Sequence, residues 1–130
     1  EFKNFGWPIS SYGIPYPIQD KNFYEKNGFL KKSHSQYGFL EPIKYFVPSI
    51  GISEIVYANE KSKNERLFVA SLRAGSIYMI EFSEDMKKVL QVNRFYFGNT
   101  RIRDLKYDKK TQRFFMVFEN TPAIGVFKII

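Results

Sequence analysis

Arg66-Leu67-Phe68-Val69-Ala70, followed past a short turn by Ser76-Ile77-Tyr78-Met79-Ile80-Glu81-Phe82, aligns without a gap on Arg113-Phe114-Phe115-Met116-Val117 and Ala123-Ile124-Gly125-Val126-Phe127-Lys128-Ile129, each residue 47 positions further along. Both copies read as strand, tight turn, strand, because they are short runs of Ile, Val, Phe and Tyr bounded by turn residues. Outward from them the same pattern gives strands at residues 52–58, 67–72, 76–82, 89–97, 102–107, 113–118 and 123–129. One more strand on either side of the first copy completes a four-stranded antiparallel meander. The second copy stops after three strands. A repeat of this length is the period of propeller blades. An immunoglobulin-like sandwich also offers about seven strands at such spacing, but it does not call for a gapless internal echo. The expectation is an all-β chain, a partial β-propeller of two to three blades. Residues 51–130 would form the blades, the last one incomplete. Its open edge predicts a fourth strand supplied from elsewhere in a larger propeller domain, since an unpaired edge invites pairing.

Composition agrees. The 130 residues amount to 15.4 kDa, enough for one domain that buries roughly two-thirds of its unfolded surface. An apolar share of 44% with 25% charged residues excludes a disordered chain. Aromatic residues reach 18%, with 14 Phe and 9 Tyr, and these suit pleated, half-buried surfaces. The absence of cysteine excludes disulfides, thiolate metal sites and a cysteine nucleophile. No apolar run reaches the roughly 18 residues of a membrane span. The chain opens on Glu1-Phe2-Lys3-Asn4, neither an initiator Met nor a signal peptide, so part of a longer or processed protein is expected. The net charge of +7 is scattered in doublets such as Lys31-Lys32, Lys87-Lys88 and Lys109-Lys110, and most aromatics fall at strand positions, so no nucleic-acid partner is expected. Weak helical patterns occur only at 20–27 and 84–90.

Residues 1–50 read as a loop-rich segment punctuated by Gly6-Trp7-Pro8, Tyr12-Gly13 and Val47-Pro48-Ser49. Loops on a rigid scaffold are where binding groups gather. Further on, Arg101-Ile102-Arg103 opens a strand, and a spacing of two projects both guanidiniums from one face. Such a pair suits bidentate capture of carboxylates or phosphates. Spacing alone equally describes a charged surface with Asp104 as countercharge. Arg73, in the Leu72-Arg73-Ala74-Gly75 turn, carries the same two readings. His34 is the sole histidine, in a polar run without a second ligand for a transition metal. Trp7 reads more readily as a packing residue than as a ligand platform. No phosphate-binding glycine loop and no Gly-x-Ser-x-Gly elbow is present.

Four pieces taken in order, Gly6-Trp7-Pro8 with Tyr12-Gly13, Val47-Pro48-Ser49-Ile50-Gly51-Ile52-Ser53, Leu67 through Tyr78, and Arg101-Ile102-Arg103-Asp104-Leu105, cover nearly the whole chain. This set resembles the C-terminal portion of the glucose/sorbosone dehydrogenases, the soluble glucose and aldose sugar dehydrogenase family. The resemblance implies a six-bladed propeller that oxidises aldoses at C1 with pyrroloquinoline quinone (PQQ) and calcium, in the periplasm or outside the cell. It implies that Arg101, Arg103, Arg73 and Ser49 bind the cofactor. The catalytic histidine and calcium ligands of such an enzyme would lie in segments not contained here, so this segment alone would be inactive. The partners implied are an aldose sugar and the remainder of the propeller or a completing chain, with a homo-oligomer among the allowed assemblies. The rival reading is a non-catalytic β-propeller binding module, since fold does not fix activity.

Overall fold

The computed structural model of the chain describes residues 3–7, 9–13, 33–58 and 63–129. The helical pattern at 20–27 and the Lys31-Lys32 doublet lie outside the described residues. The chain divides into two compact units, Glu1–Ser49 and Ile50–Ile130.

The second unit carries seven strands among its described residues: β1 (Ile52–Tyr57), β2 (Glu65–Ser71), β3 (Ser76–Phe82), β4 (Val89–Tyr96), β5 (Ile102–Asp108), β6 (Arg113–Phe118) and β7 (Ala123–Phe127). They form two antiparallel sheets in the order β1-β2-β3-β4 and β5-β6-β7. The architecture is all-β, two successive meanders consistent with partial propeller blades. The helical pattern at 84–90 is not realised. Ser83 Oγ donates to Asp85 (2.6 Å), while the Lys87 amide donates to Asp85 (3.1 Å) and the Lys88 amide to Ser83 Oγ (3.0 Å). These side chains offer the backbone a turn in place of a helix, and Val89 onward pairs with β3. The β5–β6 turn is fixed likewise by Asp108, which accepts from the Lys110 and Thr111 amides and the Thr111 hydroxyl.

The repeat is visible in individual hydrogen bonds. Each sheet begins with a bulge in its first strand, at Ser53 between Ile52 and Glu54 and at Arg103 between Ile102 and Asp104. The Leu72 amide donates to the Gly51 carbonyl (2.7 Å), and at the equivalent place in the second sheet the Glu119 amide donates to that of Arg101 (2.9 Å).

The faces that meet between the sheets decide the mode of stacking. The first sheet contributes Phe68, Ala70, Ile77 and Met79, the second Ile102, Leu105, Phe114 and Met116. A shift of 47 positions carries Phe68, Ala70, Ile77 and Met79 onto Phe115, Val117, Ile124 and Val126, and these lie on the far face of the second sheet, 38%, 42%, 72% and 52% exposed. The repeats therefore stack head to tail, each presenting its opposite face to its neighbour, as blades in series do and as the two halves of a face-to-face sandwich do not. Phe114 is the hub: its ring lies 4.5 Å from Phe68, 4.6 Å from Tyr107 and 4.7 Å from Phe127. Ser53 adds a polar stitch, its hydroxyl donating to the Ile102 carbonyl at 2.6 Å.

Phe114, only 2% exposed, should cost about 3–5 kcal/mol when replaced by Ala. Phe115→Ala, on the open face, should cost less than about 1.5 kcal/mol. Chemical denaturation of the two variants measures the difference, and equal losses would contradict this assignment of faces.

Candidate functional site

Gly75 has φ +54°, and a Cβ there would lie 2.0 Å from the Gly98 carbonyl oxygen and 3.1 Å from that of Thr100. Only a residue without a side chain lets the β2–β3 turn approach the 98–100 segment this closely. The Phe97 amide donates to the Gly75 carbonyl at 2.9 Å, and Asn120 Nδ2 to the Asn99 carbonyl at 3.2 Å. Between turn and segment opens a cleft of about 570 Å³, lined among others by Arg73, Gly75, Arg94, Tyr96, Thr100 and Arg101.

Within this unit, two of the sequence candidates, Arg73 and Arg101, reach one cleft. The Arg73 amide is anchored on the Ile50 carbonyl (2.9 Å), while its guanidinium is exposed with no hydrogen bond or ion pair among the described residues. Arg101 and Arg103 do lie side by side, and both bind the same carboxylate, Glu119. The bulge at Arg103 accounts for the pattern around it. Ile102 and Leu105 both enter the core, and Arg103 and Asp104 both face outward. Asp104 does not serve as the countercharge, because its carboxylate accepts from the Leu105 amide (2.8 Å). Glu119 holds that place from across the sheet, and the Arg103 and Arg101 guanidiniums keep its carboxyl below the ordinary glutamate value. Arg103 is absent from the cleft lining. Ser49 belongs to the first unit, where it is exposed and follows a cis Val47–Pro48 bond.

Sequence reasoning missed two cleft residues. Arg94 Nε donates to Ser76 Oγ (2.8 Å) and Nη2 to the Ala74 carbonyl (2.9 Å), and its guanidinium lies over Tyr96 and Tyr78 at 5.2 and 5.8 Å. Thr100 also lines the cleft, and its Oγ1 is buried without a hydrogen-bond partner among the described residues. Both lie in stretches whose sequence announces only strand and turn. Among the described residues no three His, Cys, Asp or Glu gather as a metal site.

The first unit corrects one expectation. Trp7 is 84% exposed rather than packed. Its neighbour Gly6 takes the interior position, with φ +86° and a Cβ position 2.3 Å from Ser10 Oγ, and the turn closed by the Ile9 and Ser10 amides on the Gly6 carbonyl leaves the indole outside. His34, read as lying in a polar loop, is buried and shares a 2.7 Å hydrogen bond with Ser10 Oγ. Nearby, Tyr12 stacks on Tyr45 at 4.3 Å, and its hydroxyl donates to Glu41 (2.6 Å), which also accepts the Ser35 amide (2.7 Å).

Those bonds, the tyrosine hydroxyl first, lower the Glu41 carboxyl from the ordinary 4.5 to about 2. A depressed carboxyl stabilises the fold above the unfolded-state value, and that contribution is lost as pH falls through the folded value. Carboxyl NMR should find the Glu41 midpoint near 2, and Glu41→Gln should flatten the pH dependence of first-unit stability between about 4.5 and 2. A midpoint near 4.5 would refute the Tyr12–Glu41 clasp. Gly75→Ala should destabilise the second unit by roughly 2 to 4 kcal/mol through left-handed strain and backbone collision, read by thermal denaturation.

The family profile described as Glucose / Sorbosone dehydrogenase matches residues 1–124. No curated protein and no solved structure matches the chain. The match takes in the Gly-Trp-Pro motif, the first meander, β5 and β6 of the second, and the Arg-x-Arg pair. The chain belongs to the glucose/sorbosone dehydrogenase family.

Proposed function

We propose that this chain is the C-terminal part of a PQQ-dependent dehydrogenase that oxidises aldoses at C1, and that it supplies the wall holding the cofactor's carboxylates. The observation that carries the reading is the convergence of Arg73 and Arg101 on one cleft. Its volume falls in the range of roughly 300–1,000 Å³ typical of small-molecule pockets. A tricarboxylate needs permanent cations with planar donor forks, and guanidiniums meet that need without depending on pH.

In this mechanism Arg73, unpaired among the described residues, would bind a ligand carboxylate. Arg101 turns part of its donor fork from Glu119 to a ligand carboxylate. Arg103 keeps Glu119 engaged, so the exchange leaves that carboxylate paired. Ser49, in the first unit, is a further candidate for cofactor binding by the family resemblance alone. PQQ, when bound, supplies the quinone that accepts hydride from the sugar. We assign no catalytic base to this chain. The base and the calcium ligands belong to the rest of the propeller, and the segment alone does not turn over sugar. The exposed row Phe115, Val117, Ile124 and Val126 supports such completion, being the repeat equivalent of a face that is already covered.

The test is reconstitution of the complete polypeptide with PQQ and calcium, followed by aldose oxidation with an artificial electron acceptor. Arg73→Ala and Arg101→Ala should each weaken PQQ binding by about 1.5–3 kcal/mol. Arg103→Ala, whose guanidinium lies off the cleft, should weaken it less. Failure to bind PQQ and to oxidise any aldose would leave the binding module as the better reading.

A further inference from the structure

Arg94 is the one cleft arginine whose donors point into the protein. Its Nε bonds Ser76 Oγ and its Nη2 bonds the Ala74 carbonyl, which is the acceptor that Ser76 Oγ itself reaches at 2.7 Å. Ser71 Oγ ties the other side of the same turn, accepting from the Ala74 amide (2.7 Å) and donating to the Ile50 carbonyl (2.7 Å). Ala74 is therefore gripped through both its amide and its carbonyl, and Arg73, whose own amide is held on Ile50, is the residue just before it. The backbone that carries Arg73 is fixed, while its guanidinium has no hydrogen bond or ion pair among the described residues. That is the arrangement in which a cation is presented to a ligand at small ordering cost.

The grip depends on guanidinium chemistry. One planar fork spans the Ser76 hydroxyl and the Ala74 carbonyl while lying over Tyr96 and Tyr78. A lysine ammonium is a point donor and cannot keep both bonds and the ring contacts. Tyr96 is held in turn by its hydroxyl, which donates to Asn99 Oδ1 at 2.8 Å. No carboxylate pairs with Arg94 among the described residues, so its charge also adds to the positive field of the cleft.

We propose that Arg94 is a positioning residue of the anion cleft, clamping the Leu72–Gly75 turn so that Arg73 presents its guanidinium to the bound carboxylate. This rests on the cofactor reading given above and adds to it a residue that acts through Arg73.

A double-mutant cycle in the complete polypeptide, read by PQQ titration, tests it. Arg94→Lys should weaken PQQ binding about tenfold in the wild-type background and less than about twofold in an Arg73→Ala background. Arg94→Gln should behave the same way. Amide exchange at Ala74 should quicken in both variants while the interiors of β2 and β3 keep their protection, a local signature that general destabilisation does not give. Additive losses in the two backgrounds, or wild-type binding by Arg94→Lys and Arg94→Gln, would overturn the role of Arg94 and leave the cofactor reading standing. A wild-type protein that does not bind PQQ would remove the cofactor reading and this role together, so the wild-type titration separates the two failures.

Discussion

Where Phe68 of β2 meets Phe114 of β6, two sheets of the same design are pressed together with opposite faces of their repeats in contact. Everything that bears on function depends on this head-to-tail packing. It brings the turn after β2 within reach of the segment that leads into β5, and the cleft is the gap left where the two come closest. The packing is apolar and aromatic, so it is directionless in itself. Direction comes from a few polar or close contacts at the rim: Ser53 to Ile102, and the Gly75 backbone against Gly98.

The charges of the cleft follow from the same geometry. Three guanidiniums stand around one opening, and each is restrained differently. Arg73 is fixed at its backbone alone, Arg101 is shared with a carboxylate on the neighbouring strand end, and Arg94 is bonded inward. Like charges gathered this way repel, and the protein offsets that cost by pairing Arg101 with Glu119 and by placing the Arg94 guanidinium against the negative faces of two aromatic rings.

The strands were legible because each is a short apolar run between turn residues, and the repeat could be read because Arg66 through Phe82 keeps its spacing in Arg113 through Ile129. The site was legible in part. Arg101 and Arg103 announce themselves by their spacing, yet their common partner Glu119 is a cross-strand neighbour that sequence distance hides. The bulge at Arg103 was equally hidden, since a bulge is a property of pairing and not of one strand. Arg94 lies within an ordinary strand pattern, and only the register Tyr78 to Arg94 brings it beneath the turn. Trp7 lies outside, against its expected packing, because the turn at Gly6 and not its hydrophobicity decides which way the indole points.

Repetition of the scaffold does not repeat the recess. One repeat further on, Leu72-Arg73-Ala74-Gly75 is replaced by Glu119-Asn120-Thr121-Pro122. The cation has become an amide, and the glycine that admits a neighbouring carbonyl has become a proline. Any sheet laid on the open side of β5–β7 would meet a corner of the same outline but with neither the positive charge nor the permissive backbone. A scaffold built by copying can thus keep its ligand chemistry unique, because what distinguishes one corner from the next is a four-residue turn that the rest of each sheet does not constrain.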